Sequence, residues 1–309
     1  MSGILGALIP VFIVILLGYV FRRTRIISDA FWEPAERVTF YLFFPALLVA
    51  NAASADLGGL DVWPMLAALV GGILLVVASN WLLRRPLGLD GPKFTSLIQG
   101  SVRPNVYVGV AAAVALYGDA GLTAVSLCIA VAVPLVNFIS VVALITYASP
   151  AGRPRGWRAV VVPVLQNPLI VACLLGLALN VTGIGLPPLI GPTLEILGRA
   201  SLPIALLAVG AGLDLAAVRL AGRTVAVTTT LKLAVLPVVT VVLCLILGVD
   251  GVDGVEAAVA ILYASLPGSA SAYVMARQMG GDAPIMAGVI TATTLAAIVT
   301  IPVVLIVFV

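Results

Sequence analysis

Histidine is absent from the 309-residue chain, and with it go the commonest metal ligand and the commonest proton shuttle near neutral pH. Charge is scarce as well: 9% of residues are charged, where a soluble domain carries roughly 25%. A soluble fold of this length could bury a large core but could not cover it with so few charges, since 62% of the residues are hydrophobic. Lipid is therefore the expected solvent for much of the surface. Cys128, Cys173 and Cys244 lie far apart in apolar stretches with no CxxC spacing, so neither a disulfide framework nor a metal site is indicated. The net charge of +3 is scattered without a basic run, so no nucleic-acid partner is expected. Walker and Rossmann motifs are missing and no histidine base exists to activate a serine. No cofactor, ATP-driven cycle or enzyme chemistry is expected.

What the chain does have is long apolar runs. Ten segments are long enough to span roughly 30 Å of hydrocarbon at about 1.5 Å per residue. They cover 4–21, 38–55, 62–83, 94–117, 121–148, 159–181, 193–217, 224–248, 254–277 and 283–308. The N-terminus shows no basic n-region or small-residue cleavage site, so the first run reads as a retained helix. Alternate loops carry Arg22, Arg23, Arg25 and Arg37, then Arg84, Arg85 and Lys93, then Arg153, Arg155 and Arg158, then Arg219 and Arg223, then Arg277. Those are 13 of the 16 basic residues, all on one side, while the opposite loops hold only acids such as Asp56, Asp61, Asp119, Asp250 and Asp253. Basic loops face the cytoplasm, which puts both termini outside.

The polar stretch 149–158 (SPAGRPRGWR) divides the ten expected spans into five and five. An odd number per half makes the halves enter the membrane from opposite sides, as in inverted-repeat secondary transporters. The expected organisation is thus a first repeat over 1–148, a cytoplasmic linker over 149–158 and a second repeat over 159–309. Pro104 in the fourth span and Pro267 in the ninth are 163 residues apart, and the same offset carries Gly118-Asp119-Ala120 onto Gly281-Asp282-Ala283.

A proline inside a membrane helix deletes one hydrogen bond and opposes the carbonyl four residues earlier. Such breaks persist where protein or a wet cavity receives the freed groups. Pro104 and Pro267 are each followed by residues that let a helix restart, Asn105 in one case and Gly268-Ser269 in the other. Because the two spans run in opposite directions, both second halves would begin near mid-membrane with amino ends converging. Each end carries a partial charge of about +0.5, an arrangement suited to an anion. The candidate substrate-binding residues are Arg103, Pro104, Asn105, Pro267, Gly268 and Ser269, with Asn51 and Asn137 as further in-span polar groups beside Tyr107. Pro45, Pro134, Pro203, Pro237 and Pro302 are expected only to kink packed helices.

Three basic residues fall inside expected spans. Arg103 either adds positive charge at the first break or snorkels toward the cytoplasm. Lys232 is expected to serve structurally, bonding carbonyls freed by a broken helix. Arg199 is expected to snorkel or to pair with Glu195. No Asp or Glu lies at the core of a span, which argues against carboxylate proton relays. Gly210 and Gly212 are read as allowing close helix packing.

At these residues the chain resembles the auxin efflux carrier family in its bacterial form. The pieces that carry the resemblance are RPNVYVGVAAAVALYG at 103–118 and ASLPGSASAYVMARQMGGD at 264–282. FFPALL at 43–48, Asn167-Pro168, GRASLPIALLAVGAGL at 198–213 and KLAVLP at 232–237 add to it. The resemblance implies a fold related to bile-acid symporters and sodium–proton antiporters. Helices one, two, six and seven would form a scaffold, and the other six would carry the crossover and move like an elevator. It also implies small carboxylates as substrates, auxin-like or dicarboxylate, with Asn105 as the best-matched contact. The bilayer of a bacterial inner membrane is then the expected location, and a homodimer is compatible with the fold. Two other readings stay open from the residues: a ligand-sensing membrane module of the same fold, and a sodium- or proton-coupled carrier.

Overall fold

The computed structural model describes residues 2–55, 62–148, 162, 166–220, 222–249 and 254–309. The expected linker 149–158 lies outside the described residues, as do Asp56, Asp61, Asp250, Asp253 and the start of the sixth expected span. The described elements are helices. They are α1 (Ser2–Arg23), α2 (Asp29–Ser54), α3 (Val62–Arg84), α4 (Gly91–Val102), α5 (Val106–Tyr147) and α6 (Pro168–Val181). The chain continues with α7 (Ile190–Ala211), α8 (Leu215–Leu220), α9 (Gly222–Leu247), α10 (Val255–Ala264), α11 (Ala270–Met279) and α12 (Ala283–Phe308).

Among the described residues seven helices are long and apolar enough to cross a membrane, namely α1, α2, α3, α5, α7, α9 and α12. The helices α6 and α10 are apolar but shorter. Large apolar side chains such as Trp63, Leu82, Val181, Leu189 and Ile196 stand exposed around the bundle, as expected where lipid is the solvent.

Several boundaries differ from the sequence reading. The second expected span starts nine residues earlier, at Asp29, because an amphipathic stretch over Asp29–Val38, with Asp29 in its first turn, extends the helix outside the apolar run. The seventh ends at Ala211, where Gly212 caps it, and the chain re-enters a short helix at Leu215. The fourth is split between α4 and the first part of α5.

The long helix α5 is itself two helices that meet at Gly118, whose φ of 57° and ψ of −137° lie outside the helical region. A Cβ on Gly121 would strike the carbonyl oxygen of Ala113 and crowd Tyr117. Residues eight apart in a straight helix are separated by about 12 Å, so the chain doubles back sharply at this glycine.

Two of the prolines expected to kink helices are accommodated by a specific distortion of the helix. Pro45 and Pro237 each follow a π-helical turn, Thr39–Phe43 in α2 and Leu231–Val235 in α9. A proline offers no N–H and crowds the carbonyl four residues back, and the wider π turn moves that carbonyl aside.

Packing sorts the helices into two neighbourhoods. Helices α1, α2, α6 and α7 pack on one another, chiefly α2 with α6 and α1 with α7. The α1–α7 crossing is close because glycines face backbone: a Cβ on Gly210 would strike the Ile15 carbonyl, and one on Gly18 the Leu207 carbonyl. Gly212 takes no part in this crossing; it sits at the end of α7 with its nearest neighbours in its own last turn. Helices α3, α4, α5, α9, α10, α11 and α12 form the second neighbourhood, and α5 makes most of the contact with the first.

Candidate substrate site at the helix crossing

The two interrupted helices meet at their breaks. After α4, Arg103 and Asn105 adopt extended backbone, and Pro104 pairs with Gly268 as an isolated antiparallel bridge. The Asn105 N–H donates to the Pro267 carbonyl at 2.8 Å. Pro104 has no N–H for the Gly100 carbonyl, and diverting the Asn105 N–H leaves Ser101 without its helical partner as well. The second break is held from a third helix: the Gly268 N–H donates to Thr293 Oγ1 of α12 at 2.9 Å.

That diversion frees the Ala264 carbonyl, whose helical donor would be the Gly268 N–H. Lys232 takes its place. The side chain is 1% exposed, projects from the π turn of α9 and donates from Nζ to the Ala264 oxygen at 3.2 Å. A cation at this point also meets the negative end of the α10 dipole.

The two restarting helices are not alike. Asn105 caps α5, its Oδ1 accepting from the N–H groups of Tyr107 at 3.1 Å and Val108 at 3.4 Å. The Asn105 side chain is buried, and its Nδ2 makes no hydrogen bond to any described residue. Ser269 stands at the N-cap of α11 without capping it; its hydroxyl bonds instead to the Ser271 hydroxyl at 2.9 Å. The amino end of α11 is thus the more open of the two.

Arg103 completes the site. It is 5% exposed and does not snorkel; one Nη donates to Ser271 Oγ at 2.9 Å and the other reaches Met275 Sδ at 3.5 Å. Its Nε has no partner among the described residues, and the ion pairs among them, Arg22–Asp29 and Lys93–Asp90, lie elsewhere. A guanidinium buried without a carboxylate among the described residues, beside an uncapped helix amino end, concentrates positive charge and free N–H donors at this point.

The structure therefore brings together Arg103, Pro104, Asn105, Pro267, Gly268 and Ser269. Asn51 sits apart, lining an apolar crevice with Thr123, Ser126 and Cys173, its Oδ1 unpartnered. Asn137 lies buried in the second part of α5, its Oδ1 also unpartnered. Tyr107 stacks edge-on with Phe44 of α2 at 4.9 Å between ring centroids, joining the crossing to the other helix neighbourhood. Arg199 and Glu195 are exposed and do not pair. Sequence reasoning missed Ser271, Met275 and Thr293 because their roles depend on contacts between distant segments. It also passed over Gln99, an amide within an apolar span and a signal open to anyone reading for polar residues.

Residues 3–153 and 157–305 match a family described as "Membrane transport protein". An uncharacterized transporter of Methanothermobacter thermautotrophicus is 24% identical over 306 residues, covering 97% of each chain.

Proposed function

The chain belongs to the membrane transport protein family, and on that premise we propose that it is a secondary carrier of small organic anions working by an elevator-type mechanism. Membership makes it an integral membrane transporter rather than an enzyme. The observation that carries the substrate class is Arg103, a buried cation without an acidic partner among the described residues, bonded to the first turn of the uncapped α11. A carboxylate docked there would offset the guanidinium charge and accept from free backbone N–H groups.

The architecture we propose is ten spans in two inverted repeats of five. In it, α4 with the start of α5, and α10 with α11, are the two interrupted spans. The sharp break at Gly118 separates the fourth span from the fifth, and α8 is the short cytoplasmic link after the seventh. The grouping of α1, α2, α6 and α7 supports a scaffold, with the remaining helices as the moving unit. The crossing belongs to the second group and meets the first at the Phe44–Tyr107 contact. Sliding one group along the other would carry the site across the bilayer without dismantling the crossing. We place the protein in the plasma membrane with both termini outside, from its basic loops.

The test is uptake of radiolabelled small carboxylates into proteoliposomes, with binding measured in parallel for neutral amide or ester isosteres. Flux and binding are expected for ionised carboxylates only. Equal affinity for the neutral isostere would remove the basis of the anion reading, and binding without flux would favour a sensor.

A further inference from the structure

Ser96 and Gln99 on α4 and Arg103 at its C-cap are spaced three and four residues apart, and the Arg103 N–H still donates to the Gln99 carbonyl at 2.9 Å, so the three share one face. The ends of this stripe are fastened to the second repeat. Ser96 Oγ donates to the Asp282 carbonyl at 3.0 Å, and Arg103 reaches Ser271 and Met275 of α11. Gln99, between them, is 0% exposed, yet neither Oε1 nor Nε2 has a partner among the described residues. The Arg103 Nε one turn away is likewise unpartnered. A buried primary amide with both ends idle is costly to a folded protein, which argues that a polar group from outside the chain completes it.

We propose that Gln99 is a specificity-determining residue that reads a second, uncharged polar group on the substrate anion. The inference rests on the carrier reading above and narrows its substrate class. An amide offers one acceptor and two donors and carries no charge. Its complement is a group that both donates and accepts, a hydroxyl or a carboxamide. With the carboxylate on the Arg103 guanidinium, such a group would lie one helical turn along α4, within reach of Gln99. Ser271 is exposed while Gln99 is enclosed, so the bonded end of Arg103 lies nearer the surface than Gln99 does. The preferred substrates are hydroxy- or carboxamido-carboxylates, ahead of plain alkyl carboxylates of the same length.

The experiment measures binding to the purified full chain for matched pairs: a hydroxybutyrate series against butyrate, and succinamate against pentanoate. The wild type should favour the best polar member of each pair by roughly tenfold to a hundredfold, the range that leaving buried polar groups unpaired implies. Gln99→Leu should bring that ratio close to one while affinity for butyrate is kept. Melting temperature should hold or rise, because an idle amide is replaced by an apolar group of similar size. Gln99→Met provides the same comparison should the branched side chain fit poorly. A wild type that binds both members of each pair equally overturns the role of Gln99 and leaves the anion carrier standing. So does a ratio unchanged in both variants, as would hold if the amide only bonds buried water. Failure of the wild type to bind any of these acids would overturn the carrier reading together with this one.

Discussion

Arg103 and Asn105 act through different parts of the same break. Asn105 closes the amino end of α5 with its side-chain oxygen, a cap whose loss on Asn105→Ala typically costs about 1 kcal/mol. Arg103 closes nothing permanently: its partners are a serine hydroxyl and a thioether, and among the described residues it has no carboxylate to balance its charge. Removing an uncompensated buried charge while keeping its bulk is often neutral or stabilising. Arg103→Met is therefore expected to keep or raise the melting temperature while carboxylate binding falls at least tenfold, the opposite pattern to a structural arginine. Calorimetry and ligand titration on the same preparation separate the two. A variant that melts well below wild type and still binds carboxylates would reassign Arg103 to packing.

Helices in this chain are shaped by single residues at their crossings and breaks. At α1–α7 there is no room for a Cβ on Gly210, because the obstacle is the Ile15 backbone carbonyl rather than a mobile side chain. Gly210→Val should force the helices apart and cost about 1–3 kcal/mol, the usual penalty of overpacking. Gly212→Ala, two positions on, meets no neighbour closer than 3.4 Å and should melt within a degree or two of wild type. Equal melting of the two variants in detergent would show that α1 and α7 are not held at this distance. The sequence shows two glycines in one small-residue run and cannot say which faces a neighbour. That depends on how α7 is rotated against α1.

The two helix neighbourhoods meet along α5, and the elevator proposal requires them to slide there. Phe44 and Tyr107 pack ring against ring across this boundary. Joining the boundary with Phe44→Cys, Tyr107→Cys and a short bis-methanethiosulfonate cross-linker, which forms reducible disulfides, in a variant lacking Cys128, Cys173 and Cys244, should stop transport and leave equilibrium binding measurable. Reduction should restore flux. Transport that continues at an unchanged rate through the cross-link would rule out relative movement at this contact. Topology has its own test in the same background: Gly3→Cys and Gly156→Cys should react with impermeant reagent from opposite sides of the membrane. Reaction of both from one side would end the inverted-repeat arrangement.

Solvent and local chemistry were legible in the residues alone. A chain with 9% charge and no histidine cannot clothe a soluble core, so its apolar runs had to become membrane helices. Pro104 and Pro267 had to interrupt theirs, since the missing N–H is a covalent fact. The family was legible too, in the segments around those prolines. What only the tertiary structure decided was where each freed group finds its partner. The Asn105 N–H goes to Pro267, the Gly268 N–H to Thr293, the Ala264 carbonyl to Lys232 and the Arg103 guanidinium to Ser271. Each of these joins segments too far apart in sequence for a local pattern to fix: 25 residues for Gly268–Thr293, 32 for Lys232–Ala264, 162 for Asn105–Pro267 and 168 for Arg103–Ser271. Local sequence sets which backbone groups are released; the packing of distant helices sets what receives them, because a hydrogen bond acts over about 3 Å and sequence separation says nothing about that distance.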